Sequence, residues 1–155
     1  MKNFNKIILS LGSNIGDKKS NLETAINQIN QFSTIKKISS IYESDPILLK
    51  DQDNFFNLVL EIDYKKTVIE LLETTKDVER RMGRKKTVKY GPRIIDIVFF
   101  NNKIVNSKDL IVPHYDWANR VFVVLPLCEL FKEFNMEDYK LDVQKINKVG
   151  RVNTN

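Results

Sequence analysis

The chain has little of the residues that small proteins use for cross-links and metal cages. Its 155 residues include one cysteine, Cys128, and one histidine, His114. A single cysteine cannot form an internal disulfide, so we expect a reducing, cytoplasmic location. A structural zinc site is not expected either, because it takes four cysteine or histidine ligands. Cys128 ends the apolar run that begins at Val123, and we interpret it as a buried core thiol.

Long hydrophobic runs are also missing. No apolar stretch approaches the ~20 residues of a membrane-spanning helix, so no membrane partner is expected. The first six residues lead straight into a strand pattern and carry no secretory cleavage site. No repeat, low-complexity tract or linker divides the chain. We therefore expect one domain over residues 1–155 and a monomer.

The charge balance favours anionic partners. The formal net charge is +5, which suits either a nucleic acid or a polyphosphate nucleotide. Basic residues concentrate between positions 76 and 93. This run is either a solvated surface or the rim of an anion site.

Hydrophobic periodicity predicts strands and helices in imperfect alternation. The predicted strands cover residues 6–11, 35–42, 55–64, 93–100 and 104–105. The predicted helices cover residues 18–31, a segment from Thr67 to Gly83, residues 117–130, and a weak pattern from Met136 onwards. Short connections between these elements predict an α+β sandwich, in which helices pack on a mainly antiparallel sheet.

Local signals mark the ends of two of these helices. Asp17 or Ser20 is a candidate cap for the first helix. Thr67 and Glu70 form a capping-box pattern at the start of the second helix, and Gly83 is a candidate stop.

Arg93 and Asp96 are the most informative charges, because they lie on an otherwise apolar strand. Burying a charge is costly without a partner. The two residues either pair with each other or hold a phosphate and a metal ion. Cations around a moving phosphate and a carboxylate for magnesium are what phosphoryl or pyrophosphoryl transfer needs.

Two further segments are candidates for a site. Residues 12–16 form a glycine-flanked turn before the first helix, which is either an anion-binding turn or a plain strand-to-helix connection. Residues 113–116, with Arg120 beyond them, contain the one histidine. No nucleophile-elbow pattern occurs, so a serine hydrolase is not expected.

Taken together, these segments resemble the 6-hydroxymethyl-7,8-dihydropterin pyrophosphokinases over nearly the whole chain. The matching segments are, in order, residues 11–14, 42–46, 54–57, 83–84 and 90–93, then Asp96, residues 113–115, Arg120 and residues 122–127. Each segment is a weak signal, and their order and spacing together are specific.

The resemblance implies a ferredoxin-like α+β sandwich and transfer of pyrophosphate from ATP to 6-hydroxymethyl-7,8-dihydropterin in folate biosynthesis, with release of AMP. It implies no nucleic-acid partner and two magnesium ions, Mg2+, per active site. By position, the pterin pocket corresponds to Ser44, Pro46, Ile47, Phe55, Asn57 and Phe122. The ATP contacts correspond to Arg84, Tyr90, Arg93, His114, Tyr115 and Arg120. The catalytic residues correspond to Arg84, Arg93 and Asp96, with Asp96 also a metal ligand.

The chain departs from the family at the metal site. The family pattern is Asp-x-Asp, whose two carboxylates share one face of a strand. Here Asp96 is followed by Ile97 and Val98, as if an Asp-Ile unit were missing. One hypothesis is an enzyme of reduced activity or an inactive pterin- and ATP-binding member. A second is full activity, with Asp116 or water as the other ligand. A third, a basic RNA-binding α+β module, lacks the aromatic-rich strand expected of such domains.

Overall fold

The computed structural model describes residues 4–45, 53–83, 94–141 and 145–153. Within these ranges the helices and strands follow in the order β1 Ile7–Ser13, α1 Lys18–Ile29, β2 Thr34–Ile38, β3 Ile41–Ser44, β4 Phe55–Asp63, α2 Val68–Arg81, β5 Ile94–Phe100, β6 Val105–Asn106, β7 Ile111–Val112, α3 Val121–Leu130 and β8 Ile146–Gly150. None of the helices in these ranges is long and apolar enough to cross a membrane.

Six strands form one antiparallel sheet in the order β5-β1-β4-β3-β8, and β2 pairs with β4 beside β3. The short strands β6 and β7 form a separate hairpin. The expected α+β sandwich with a mainly antiparallel sheet is confirmed. Strand β1 lies between β4 and β5, so both of its edges are paired.

Apolar side chains on both faces of the sheet hold the helices. On one face, Leu9 and Leu11 pack with residues of α1 and α2, including Ile26 and Leu71. On the other face, Ile8 belongs to a cluster with residues of α3 and several phenylalanines. Because strand side chains alternate between faces, β1 is buried on both sides and reads as a continuous apolar run. Cys128 is half-buried beside the second cluster, and burial raises the pKa of its thiol.

The predicted helix signals are confirmed. The Asp17 side chain accepts a hydrogen bond from the backbone N–H of Ser20 and caps α1. At the start of α2, Thr67 and Glu70 form both hydrogen bonds of a capping box. Gly83 follows the end of α2 with φ of +95°, a left-handed conformation that favours glycine.

The single strand expected over residues 35–42 is wrong in one respect, because the chain forms β2 and β3 with a break at Ser39 and Ser40. The Ser39 hydroxyl accepts the backbone N–H of Val59. The backbone N–H of Ser40 donates to the carboxylate of Glu129, on α3. The backbone N–H of Ser39 still donates to the carbonyl of Val59, so the side-chain bonds of Ser39 and Ser40 divide the strand without detaching it from β4.

Two expectations for the C-terminal third need correction. The helix expected over residues 117–130 is divided, since Trp117–Asn119 form a 3-10 turn and Arg120 is extended before α3 begins. The weak helical pattern after Met136 yields only a 3-10 turn at Met136–Asp138, followed later by β8. The open edge of β3 provides a pairing partner that no periodicity in the tail reveals.

Replacing Thr67 by alanine tests the cap of α2. We expect Thr67→Ala to lower the free energy of unfolding by about 1 kcal/mol, because the backbone N–H of Glu70 loses its acceptor. Urea denaturation measures the change. The control is Ile69→Ala, an exposed position of the same helix, which we expect to change stability by less than about 0.5 kcal/mol. Equal losses in the two variants would contradict the role of the cap.

Candidate active site

The pairing of β1 with β4 and β5 places one polar residue of each neighbour on the face of the sheet that packs against α3. Ser10 pairs with Asp96 on β5, and Gly12 pairs with Asn57 on β4. Residues paired directly across an antiparallel ladder share a face, and positions two apart on one strand do as well. Asp96 and Asn57 therefore face the same side. Strand spacing and rise put their Cα atoms about 12 Å apart.

The amide of Asn57 has a defined orientation. Its Nδ2 donates to the backbone carbonyl of Tyr42 at 2.9 Å and to the hydroxyl of Ser44 at 2.7 Å. Because a carbonyl accepts but never donates, the nitrogen must lie on that side. The Oδ1 atom faces Gly12 instead, where a Cβ would lie 3.3 Å from it. Asn57 and Ser44 are both buried, so this oxygen is a preorganised acceptor.

Gly12 keeps the space beside this acceptor open. A Cβ at position 12 would also lie 3.5 Å from the ring of Phe55. The residue expected in a turn therefore belongs to β1, where the absence of a side chain matters. The turn that follows is not arranged for an anion, because the Asp17 carboxylate already occupies the N-terminus of α1.

Of the other expected pterin residues, two lie within the described ranges and two lie outside them. Phe55 is half-buried on β4, and Phe122 is half-buried at the start of α3, where the guanidinium of Arg120 lies 5.7 Å from its ring centre. Pro46 and Ile47 lie outside the described residues.

Arg120 connects Asp96 to Asp116. Its Nη1 lies 3.8 Å from the Asp96 carboxylate, and its Nε donates to Asp116 at 3.2 Å. Asp116 also accepts a hydrogen bond from Asn119 at 2.9 Å, and this bond together with Arg120 lowers its pKa. The ion pair that the sequence allowed between Arg93 and Asp96 involves a residue outside the described ranges. Among the described residues, Asp96 has Arg120 and His114 as its charged or titratable neighbours.

The imidazole of His114 is held in one tautomer. Its Nδ1 accepts the backbone N–H of Asp116 at 3.1 Å, so the proton of the neutral ring lies on Nε2. That nitrogen lies 4.0 Å from Asp96. Burial lowers the pKa of His114, although Asp96 opposes the shift. The backbone N–H of His114 donates to Val98, which attaches this segment to β5.

A cleft of about 320 Å³ opens beside the outer edge of β5. The backbone N–H of Ile95 points out of the sheet edge and donates to Glu79 on α2. Because backbone groups alternate along a strand, we expect the N–H and C=O of Ile97, which also lines the cleft, to point to the same side. The cleft is lined by Leu72, Thr75, Lys76 and Glu79 of α2, by Ile95, Asp96 and Ile97, and by Lys108, Asp109, Leu110, Ile111, His114 and Tyr115. The Tyr115 ring is 72% exposed and stacks on His114.

Glu79, which lines this cleft, is a candidate site residue that the sequence interpretation missed. Its carboxylate is buried on the core-facing side of α2 and binds the backbone of β5. The available signal was its spacing, since Thr75 and Glu79 continue the i, i+3, i+4 pattern set by Leu71, Leu72 and Val78. A charged residue at a core position indicates a specific partner.

The described residues fit one magnesium ion better than two. Mg2+ takes one or two carboxylates plus phosphate oxygens and water, and Asp96 offers one carboxylate that is one-third exposed. No group of three or more histidine, cysteine, aspartate or glutamate side chains gathers around a common point within the described ranges. Asp116, the suggested second ligand, is instead bonded to Arg120 and Asn119.

The basic run between positions 76 and 93 is described only as far as Gly83. Arg84, Tyr90 and Arg93 lie outside the described residues. Of the six expected ATP contacts, the structure therefore brings together His114, Tyr115 and Arg120 beside Asp96.

Sequence comparison links this geometry to a family. The model of the 7,8-dihydro-6-hydroxymethylpterin-pyrophosphokinase (HPPK) family matches residues 8–132. The 2-amino-4-hydroxy-6-hydroxymethyldihydropteridine pyrophosphokinase of Bacillus subtilis is 40% identical over 133 residues, which cover 83% of this chain and 80% of that protein. The protein of the same name from Aquifex aeolicus is 40% identical over 126 residues, with 80% and 79% covered.

Solved structures agree on the fold. An HPPK-DHPS crystallised in complex with substrates superposes with a TM-score of 0.65 at 17% identity, covering 88% of this chain and 42% of that longer chain. The wild-type Plasmodium falciparum HPPK-DHPS gives a TM-score of 0.66 at 18% identity, with 84% and 40% covered. This likeness confirms the expected ferredoxin-like sandwich.

The sole histidine gives a direct test of the site's electrostatics. We expect nuclear magnetic resonance of the metal-free protein to show His114 as the Nε2–H tautomer, with a pKa below its ordinary 6.5. Asp96→Asn should lower this pKa further, because the carboxylate favours the charged ring. Arg120→Gln should raise it, because a nearby cation is removed. Shifts of the opposite sign would contradict the arrangement.

Proposed function

The chain belongs to the 7,8-dihydro-6-hydroxymethylpterin-pyrophosphokinase family, whose reaction is pyrophosphoryl transfer in folate biosynthesis, and we propose that it transfers pyrophosphate from ATP to 6-hydroxymethyl-7,8-dihydropterin and releases AMP. The observation that carries the proposal is the pairing of β1 with both neighbours. This register turns a polar acceptor, Asn57, and an anionic group, Asp96, to one face of the sheet.

The Asn57 region suits the edge of a pterin. Since the amide nitrogen is already bonded to Tyr42 and Ser44, the oxygen is the atom left for a ligand. A pterin presents ring N–H and amino donors along its pyrimidine edge, which complement an acceptor. The half-buried rings of Phe55 and Phe122 supply the flat apolar surfaces that favour a planar heterocycle.

The cleft beside β5 suits the nucleotide. The outward N–H and C=O of Ile97 form a donor and acceptor pair, which matches the ring nitrogen and amino group on one edge of adenine. Charged residues of both signs line the same cleft, with Lys76 and Lys108 as the cations beside Glu79, Asp96 and Asp109. Adenine in the cleft directs the phosphates towards Asp96, His114 and Arg120.

The reaction joins the two regions. The hydroxymethyl oxygen of the pterin bonds to the β-phosphorus of ATP and releases its proton to the solvent. The bond from that phosphorus to the oxygen of the α-phosphate breaks, and AMP leaves with this oxygen. Arg120 supplies a permanent positive charge beside the phosphates, and the Nε2–H of neutral His114 supplies a hydrogen-bond donor. Fixed donors and cations of this kind stabilise the charge of a phosphoryl transition state.

We place magnesium at Asp96, where it would neutralise phosphate oxygens when bound. A single carboxylate supports one protein-held ion, so a second ion would depend on phosphate oxygens and water. We therefore propose that turnover is lower than a site with an Asp-x-Asp pair would give. A family member that binds pterin and ATP without transfer is the second candidate, and the same single carboxylate favours it.

Loss of the Asp96 charge tests the role of this residue. We expect Asp96→Asn to lower kcat for AMP release by about 100-fold, because the carboxylate that holds magnesium is removed. Calorimetry should show that magnesium no longer strengthens binding of an ATP analogue. The control is Asp63→Asn, which removes a carboxylate at the far end of β4 that pairs with Lys65. Unchanged magnesium dependence in Asp96→Asn would exclude Asp96 as a ligand.

Inserting a second carboxylate beside Asp96 tests how many metal ions the protein holds. We expect the parent chain to bind one Mn2+ through the protein in its complex with a nucleotide analogue, as counted by electron paramagnetic resonance. Insertion of Asp-Ile after Ile97 should add a second ion and raise turnover. The matched control is insertion of Asn-Ile, which adds the same length without the charge. Equal gains from both insertions, or two ions on the parent chain, would contradict the single-carboxylate proposal.

A further inference from the structure

Glu129, at the end of α3, accepts hydrogen bonds from two separate segments, residues 40–42 and the segment after β8. Both carboxylate oxygens accept the backbone N–H of Ser40 at 3.1 Å, and one also accepts the Ser40 hydroxyl at 3.1 Å. The Tyr42 hydroxyl donates at 2.6 Å, and Nη1 of Arg151 donates at 3.3 Å. The Glu129 side chain is only 20% exposed. Its partial burial favours a higher pKa, but the bonds from Tyr42 and Ser40 outweigh burial and lower it.

Arg151 adds a second set of bonds from the segment after β8. Its Nη2 donates to the backbone carbonyl of Ile38 at 3.1 Å, and its Nη1 donates to the Ser40 hydroxyl at 3.2 Å. The guanidinium therefore spans the break between β2 and β3. Its side chain is 63% exposed, so the ion pair with Glu129 contributes little stability by itself.

These bonds connect the two sides of the pterin region. Glu129 lies seven residues after Phe122, which places both on the same face of α3, two turns apart. Tyr42 lies on β3, and its carbonyl fixes the amide of Asn57. Strand β8 pairs with β3 as far as Ser44. A single carboxylate thus ties the helix of Phe122 to the strand that orients Asn57.

We propose that Glu129 and Arg151 are positioning residues that set the spacing between Phe122 and the Asn57 acceptor, and so set affinity for the pterin substrate. This inference rests on the proposed function. Arg151 lies beyond residues 8–132, the part of the chain that matches the family model. The cleft beside β5 is on the other side of β1 from these bonds, and neither Glu129 nor Arg151 lines it.

Steady-state kinetics separates positioning from general stability. We expect Glu129→Gln and Arg151→Ala to raise KM for the pterin by about 10-fold, while KM for ATP stays within about twofold. Arg151→Lys should be intermediate, because it keeps the charge and loses the two-pronged contact. Lys65→Ala, which removes an exposed ion pair elsewhere, should leave both KM values unchanged. Equal changes in the two KM values, or no change in either, would overturn the proposal.

Direct binding distinguishes this inference from the proposed function. Pterin fluorescence is titrated in the presence of an ATP analogue that has a methylene group between the α- and β-phosphorus atoms and cannot transfer. Weaker pterin binding in Arg151→Ala supports the positioning role even if the parent chain shows no turnover, which would contradict only the proposed function. Equal pterin affinities in a parent chain that does turn over overturn the positioning role alone. A parent chain that binds no pterin overturns both.

Discussion

The site depends on the register of β1 between β4 and β5. This strand carries no charged residue, yet its pairing determines which side chains of its neighbours face α3. A slip of one residue against either neighbour would turn Asn57 or Asp96 to the opposite face. The apolar residues of β1 prevent such a slip, because Ile8 and Leu9 are fully buried on opposite faces of the sheet. Packing of the apolar side chains of β1 therefore maintains the positions of Asn57 and Asp96 relative to each other.

Much of this fold follows from local sequence signals, and the rest depends on contacts between distant residues. The capping box of Thr67 and the glycine stop at Gly83 act within one turn of a helix, so sequence spacing reveals them. The break at Ser40 was not predictable in this way, because its cause is a carboxylate 89 positions away. The β8 strand, which begins where the weak helical pattern ends, was likewise not predicted, since its partner is the open edge of β3.

The candidate site likewise combines residues that the sequence predicted with contacts that depend on tertiary structure. The sequence pattern and the family resemblance both make Asp96, His114 and Arg120 candidate site residues, and the structure brings these three side chains together. The position of Arg120 between two carboxylates could not be predicted from sequence spacing. It depends on the extended backbone of Arg120 itself, between the 3-10 turn and α3. Glu79 was overlooked because its partner is a backbone N–H, which every residue of a strand carries. Sequence spacing therefore identifies side chains that are candidates for a site, but it does not identify the backbone groups that these side chains bind.

The position of β5 at the end of the sheet has a consequence for the protein without its ligand. An edge strand exposes unpaired N–H and C=O groups to any other extended chain. At the opposite edge, β8 carries Lys148 among largely exposed side chains, and charge of this kind discourages strand addition. At β5 we expect the corresponding groups of Ile97 to face the cleft, where the adenine of the nucleotide would satisfy them. The proposed ligand would then add to Glu79 and the backbone N–H of His114, which already bind this edge of β5.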